Sequence, residues 1–172
     1  MDGHCHVDSE MVELVQSRPA AWAQRFRGLA SELRELVGAG VNIEHIGSTA
    51  VPDLPSKDVV DILVGVAPGQ IRCVSDSLVD GRFILEGQRD GHSWLTRRES
   101  GRRVCVIHVV ETDSRQWGRR IAFRDLLRTD ADARAEYLRT KRAAEAGTSN
   151  WNDYTQAKTE TVHRLLLRAR PT

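Results

Sequence analysis

The sequence predicts an α/β (α+β) domain: a mixed β-sheet with flanking helices and a helical C-terminal segment over about 113–170. Three observations carry this. Two apolar stretches, 41–46 and 59–66, bracket a small-residue turn and a polar loop. Short strand-like runs then continue to Glu111. After Asp113 the pattern changes to capping residues followed by helical spacing. The expectation is one domain over residues 1–172, a length that supports a sizeable core.

The elements follow in order. Trp22, Phe26, Leu29, Leu33 and Leu36 recur at three- and four-residue steps, as one buried helix face requires. Pro19 suits a first helical turn, so the helix starts near Pro19 or Ala20, after a short strand or turn at 12–16, and stops at Gly38 and Gly40. Residues 41–46 read as a strand that Gly47-Ser48-Thr49 breaks. In the strand over 59–66, Val60, Ile62, Val64 and Val66 face a core, whereas Val59, Asp61, Leu63 and Gly65 face the other way. A helix over 69–78, a strand over 82–86 and a turn over 87–91 come next. Strands over 92–98 and 102–111 form a hairpin through Glu99-Ser100-Gly101. Ser114 caps a helix to about Arg128, Asp130 caps a second that Gly147 stops, and Asn150 or Asn152 opens a third and last.

Composition narrows the function classes. With 40% hydrophobic and 28% charged residues, the chain is globular rather than disordered. A net charge of +1 gives no field for nucleic acid or an anionic membrane, and no apolar run reaches the roughly 18 residues that span a bilayer. The opening residues lack a basic segment followed by a long apolar one. Cys5, Cys73 and Cys105 are too few and too widely spaced for a disulfide framework, so the expected location is cytoplasmic. The terminal His4-Cys5-His6 reads as incidental. The expected partner is a small-molecule substrate, with no nucleic acid and no membrane; the oligomeric state stays open.

The chemistry concentrates in VNIEHIGSTAVPDLPSKDVVDILVGV, residues 41–66. Gly47, Ser48 and Thr49 offer unhindered backbone N–H groups and two hydroxyls, a kit for holding a phosphate. Lys57 supplies a cation shortly before the strand that carries Asp61. A carboxylate in so apolar a setting needs a partner or a metal. Glu44 and Glu111 are candidate additional acids, and His45 and His108 are candidate acid–base partners; strand parity allows one of each neighbouring pair on the face of Asp61. Arg124 with Arg128, Tyr137 with Lys141, and Tyr154 with Lys158 each sit one helical turn apart, a possible anion-recognising wall over the sheet.

IEHIGSTAVPDLPSKDVVDILVGV, IHVVE (107–111), AFRDLLRTDADARAEYLRTKR (122–142) and YTQAKTETV (154–162) together resemble the GrpB (UPF0157) family, over nearly the whole chain from Trp22. The resemblance implies a nucleotidyltransferase-like fold of the DNA polymerase beta superfamily. In that fold a glycine-serine turn binds nucleotide phosphates and carboxylates on the next strand carry divalent metal. It implies Mg2+ and a nucleoside triphosphate as cofactors; Asp61 is then expected to bind the metal, with help from Glu44 or Glu111 on a neighbouring strand.

Strand physics limits that expectation. A metal clamp usually takes two acids at i and i+2, but Val59 and Leu63 flank Asp61 at that spacing, and Asp58 falls on the other face. The chain also departs from the family pattern: Asp53 stands where glycine is usual, Asp58 where proline is usual, and Val106 replaces a histidine. The two added carboxylates work against a polyanion, which points to a smaller or less anionic substrate. The expectation is thus a small-molecule transferase of nucleotidyltransferase type. The alternatives are a metal-independent acid–base enzyme on a carboxylate- or amine-bearing metabolite, and a non-catalytic anion-binding module. Three acids on the face of Asp61 favour the first; acid, histidine and arginine together favour the second.

Overall fold

The computed structural model describes residues 12–148 and 150–168. The His4-Cys5-His6 stretch lies outside them. Helix α1 (Pro19–Val37) begins with proline at its first position and ends at Gly38, whose φ of 84° suits glycine. No side chain caps its start. A missing cap costs about 1 kcal/mol, and fully burying each of Trp22, Leu29 and Leu33 contributes about 1.5–3 kcal/mol. Packing therefore holds this helix. Before it, Val15 and Ser56 exchange two backbone hydrogen bonds at 2.9 and 3.1 Å, which ties residues 12–16 to the loop ahead of Asp61.

Among the described residues, five strands form one mixed sheet in the order β1-β2-β5-β4-β3. They are β1 (Asn42–Ile46), β2 (Val60–Val66), β3 (Ile84–Arg89), β4 (His92–Glu99) and β5 (Arg102–Glu111). Only β2 and β5 run parallel. The even-numbered residues of β2 join Ile107, Val109 and Leu95 in a core under α1 and α2 (Ile71–Asp80). The opposite face carries Asp61, Leu63, Val106, His108 and Trp94, as their register requires. Over it lie α3 (Arg115–Thr129), α4 (Ala131–Gly147), α5 (Trp151–Ala157) and α6 (Thr159–Arg168). A second apolar cluster, centred on Val51, Leu54, Leu127, Tyr137 and Leu165, joins these helices to the loop between β1 and β2.

The predicted caps are in place: Ser114 accepts from Trp117 N, Asp130 from Ala133 N and Asn150 from Asp153 N. Three boundaries differ. The α2 helix runs two residues later than expected. Residues 87–89 continue β3 instead of turning, because the ring of Trp94 lies across Gly87 and supplies the packing that glycine lacks. The expected single last helix divides at Lys158 into α5 and α6. Among the described residues no helix is long and apolar enough to cross a membrane.

Candidate functional site

Between the Asp61 face of the sheet and helices α3, α4 and α5 lies a pocket of about 510 Å3, a size that suits a metabolite. Its floor is set by Gly47. That residue has φ 70° and ψ −172°, a conformation open essentially to glycine alone, and it turns the chain into a short 3-10 turn at Ser48–Ala50. Ile46 pairs in register with Asp61, so the turn emerges beside the carboxylate.

Asp61 is partly shielded. Burial opposes its ionisation, while a protonated His108 and the Lys57 ammonium favour it, and the balance holds its pKa below the ordinary carboxylate value. His108 Nε2 stands 3.9 Å from Asp61 Oδ1, an ion-pair separation longer than a hydrogen bond. Burial lowers the pKa of His108 while Asp61 opposes the change. On its other side, His108 Nδ1 lies 3.0 Å from His92 Nε2, which Arg120 on α3 also approaches at 3.4 Å.

The opposite wall is cationic. Lys57 stands over the ring of Trp151, 3.0 Å from its centroid, and Lys158 over Tyr154 at 3.9 Å. Lys141, 1% exposed, donates to Pro55 O and to Ser56 Oγ, the latter at 2.9 Å. Burial lowers all three lysine pKa values, with Asp61 resisting: Lys57 well below the usual value, Lys141 to about 7 and Lys158 to about 8. Tyr137, whose hydroxyl burial pushes up to about 12, lines the same wall. Among the described residues, five Lys and Arg side chains and two carboxylates line the pocket, and one of those, Glu86, is paired with Arg103 at 2.6 Å.

Of the residues expected from sequence, Gly47, Ser48, Thr49, Lys57, Asp61, His108, Tyr137, Lys141, Tyr154 and Lys158 line this pocket. The others are placed elsewhere. Glu44 shares the face of Asp61 but accepts from Arg124 at 2.6 Å, and Arg124 also donates to His45 O. Arg128 donates to Ala50 O. These two arginines brace α3 against the loop and do not line the pocket. His45 faces α1, stacked on Phe26 at 4.8 Å and bonded to Thr49. Glu111 pairs with Val66 on the far face and accepts from Gly69 N. Asp58 also faces α1, bonded to Trp22 and Arg25, and Asp53 is exposed. Neither carboxylate therefore burdens the pocket with negative charge, contrary to the expectation from sequence.

His92, Arg120, Trp94 and Trp151 are pocket residues that sequence reasoning did not single out. The β4–β5 register pairs Trp94 with His108 and places His92 two residues along the same face, after a register shift between Arg97 and Arg98 that parity counted from the turn does not reveal. Arg120 and Trp151 depend on how the helices pack.

The carboxylates do not form a metal clamp. Val106 is the register partner of Asp61 on β5, Glu44 and Glu111 are engaged elsewhere, and among the described residues no three His, Cys, Asp or Glu are placed to hold an ion. The donor set thus does not fit two-metal nucleotidyl transfer.

The comparisons agree with the fold. The family model described as "GrpB protein" matches residues 11–168. A UPF0157 protein of Deinococcus radiodurans is 38% identical over 162 residues, covering 94% of this chain and 84% of its own. The crystal structure of the conserved protein GrpB from Enterococcus faecalis superposes with a TM-score of 0.76 at 25% identity, over 91% of this chain and 98% of that one. A Cid1 poly(U) polymerase structure bound to MgATP gives 0.55 at 12% identity, over 83% of this chain and 50% of that one, a likeness of fold. This chain, with its nucleotidyltransferase-like mixed sheet and helical cover, belongs to the GrpB family.

Proposed function

We propose that this protein is a small-molecule transferase in which Lys57, Lys141 and Lys158 hold a phosphate-bearing donor and the Asp61–His108 pair takes the proton of an acceptor. As the acceptor bonds to the transferred group, that group's bond to a phosphate leaving group breaks and the departing phosphate stays with the lysines. The observation that carries the reading is the division of charge across one pocket. Lys57, Lys141 and Lys158, each with a lowered pKa, face Asp61 beside the His108 imidazole, while Glu86, the other carboxylate of the lining, is paired with Arg103. Buried cations without matching acids are costly, and an anionic ligand offsets that cost. At the start of the Ser48–Ala50 turn beside Asp61, Ser48 and Thr49 add backbone N–H groups, whereas Ala50 N donates to Gly47 O within the turn. His108, neutral at pH 7, can take a proton from an attacking hydroxyl or amine, and Asp61 then stabilises the imidazolium.

A nucleoside triphosphate is the first donor to test, since the Cid1 structure of like fold is described as bound to MgATP. The donor set favours binding without the metal. Calorimetry and thermal shift should be run with nucleoside triphosphates, sugar phosphates and small carboxylates, each with EDTA or with Mg2+. The expected result is stabilisation by a phosphate-bearing ligand that survives EDTA. A ligand at 100-fold excess over its Kd stabilises by about 2.7 kcal/mol, which raises Tm by roughly 5–10 °C for a chain of this size. No response to any phosphate compound would overturn the proposal. A strict Mg2+ requirement would favour metal-dependent nucleotidyl transfer, and a response to carboxylates alone would favour acid–base chemistry on a carboxylate metabolite.

A further inference from the structure

The histidine pair next to Asp61 does more than fill the sheet. His92 is 4% exposed on β4, and its Nε2 meets two groups: His108 Nδ1 at 3.0 Å and the Arg120 guanidinium at 3.4 Å. An arginine donates and never accepts, so His92 Nε2 must present a lone pair to it. The proton between the two histidines then belongs to His108 Nδ1. A neutral imidazole carries one N–H, which leaves His108 Nε2 bare, on the side that faces Asp61 and the pocket.

We infer that Arg120 and His92 are positioning residues that fix the tautomer of His108, so that its Nε2, rather than the Asp61 carboxylate, is the proton acceptor of the site. The reversed arrangement would aim His92 Nε2–H at a cationic N–H donor. It would gain only a contact between His108 Nε2–H and Asp61 at 3.9 Å, too long for a direct hydrogen bond. Among the described residues, His92 Nδ1 has no hydrogen-bond partner in either arrangement and does not discriminate between them. Arg120 is held in turn by Gln116, whose backbone carbonyl and side-chain oxygen it meets at 3.0 and 3.1 Å. The chain of contacts thus runs from α3 through β4 to β5 and ends at the pocket. It resembles the orienting partners of metal-bound or catalytic imidazoles, in which the hydrogen bond at one nitrogen decides the state of the other.

This inference rests on the proton-transfer role proposed for His108, but its test does not. Nitrogen-15 multiple-bond correlation spectra of the full, ligand-free chain at pH 7.5 report each imidazole tautomer, with His108 assigned through His108→Gln. The expected spectrum shows His108 protonated at Nδ1 and bare at Nε2. Arg120→Met, which keeps the stem and removes the donor, should move His108 toward the Nε2–H form, and Arg120→Lys, still a pure donor, should restore the wild-type tautomer. A wild-type His108 protonated at Nε2 would overturn the inference, and a tautomer unchanged in Arg120→Met would remove Arg120 from it. If the tautomer is as expected but no phosphate compound binds, the proposed function fails and the relay stands. If phosphate compounds bind but the tautomer is reversed, the relay fails alone.

Discussion

A Cβ built on Gly47 would lie 2.8 Å from the Cβ of Asp61, closer than real side chains approach. The turn and the carboxylate are therefore a single fitted unit, in which Gly47 supplies both the left-handed φ and the empty space. Gly47→Ala meets both obstacles and is expected to cost about 2–4 kcal/mol. Urea titration checks this: the midpoint should fall at an unchanged slope, and a change below about 1 kcal/mol would mean that the turn relaxes freely.

The arginines and lysines expected to form one anion-binding wall divide into two groups that mutation can separate. Arg124, with an 11% exposed side chain, bonds Glu44, Asp125 and His45 O. Arg124→Met is expected to destabilise by about 1.5–3 kcal/mol through the loss of charge-assisted hydrogen bonds, while leaving ligand affinity within about twofold. Lys158→Met should do the reverse: it removes one of three lysines with lowered pKa values, keeps or raises stability, and weakens phosphate-ligand binding at least tenfold. Calorimetry beside urea titration of both variants decides.

Parity explains what was legible in the sequence. It sorted β2 correctly, turning Asp61 away from Asp58, and it allowed one of Glu44 and His45, and one of Glu111 and His108, on that face. It could not show that α3 brings Arg124 down onto Glu44, because that contact spans 80 residues and depends on how two layers pack. Glu111 and His45 fall on the far face through register with Val66 and Ile62, information that resides in strand pairing rather than in either strand alone. Spacing placed Tyr137 with Lys141 and Tyr154 with Lys158 correctly, since each pair shares a helix or its immediate end.

Asp53 shows a departure whose effect is conformational rather than electrostatic. Its φ is +61°, a region that costs non-glycine residues energy, and its side chain is exposed outside the pocket. Asp53→Gly is expected to stabilise by about 0.5–1 kcal/mol and to leave phosphate binding unchanged. A gain in affinity with no gain in stability would restore the electrostatic account.

Acid sensitivity should begin with histidines rather than carboxylates. Burial lowers the pKa of His45 to about 4, helped by Arg128 and Arg124 against Asp61, and that of His92 to about 2, helped by His108 and Arg120. A base with a lowered folded pKa binds fewer protons when folded, so stability is lost as pH falls below the unfolded value near 6.5. Asp61, a carboxylate with a lowered pKa, contributes its loss only below about 4. Urea midpoints at pH 7, 6 and 5 should fall, with up to roughly 1.4 kcal/mol per pH unit from each histidine. His45→Gln should flatten the slope; an unchanged slope would assign the effect elsewhere.

The lysines have the same sign as the histidines, shifted to higher pH, and they give a signature of the ligand. Lys141 and Lys158, lowered to about 7 and about 8 by burial, are partly neutral at pH 8 in the free protein. An anion bound among them favours the ammonium form and raises both values. Binding at pH 8 should therefore take up protons, which appears as a dependence of the calorimetric enthalpy on the ionisation enthalpy of the buffer. The uptake should shrink at pH 6, where both groups are already protonated, and should fall in Lys158→Met. Proton release at pH 8, or no buffer dependence at all, would mean that the anion lies away from these two lysines.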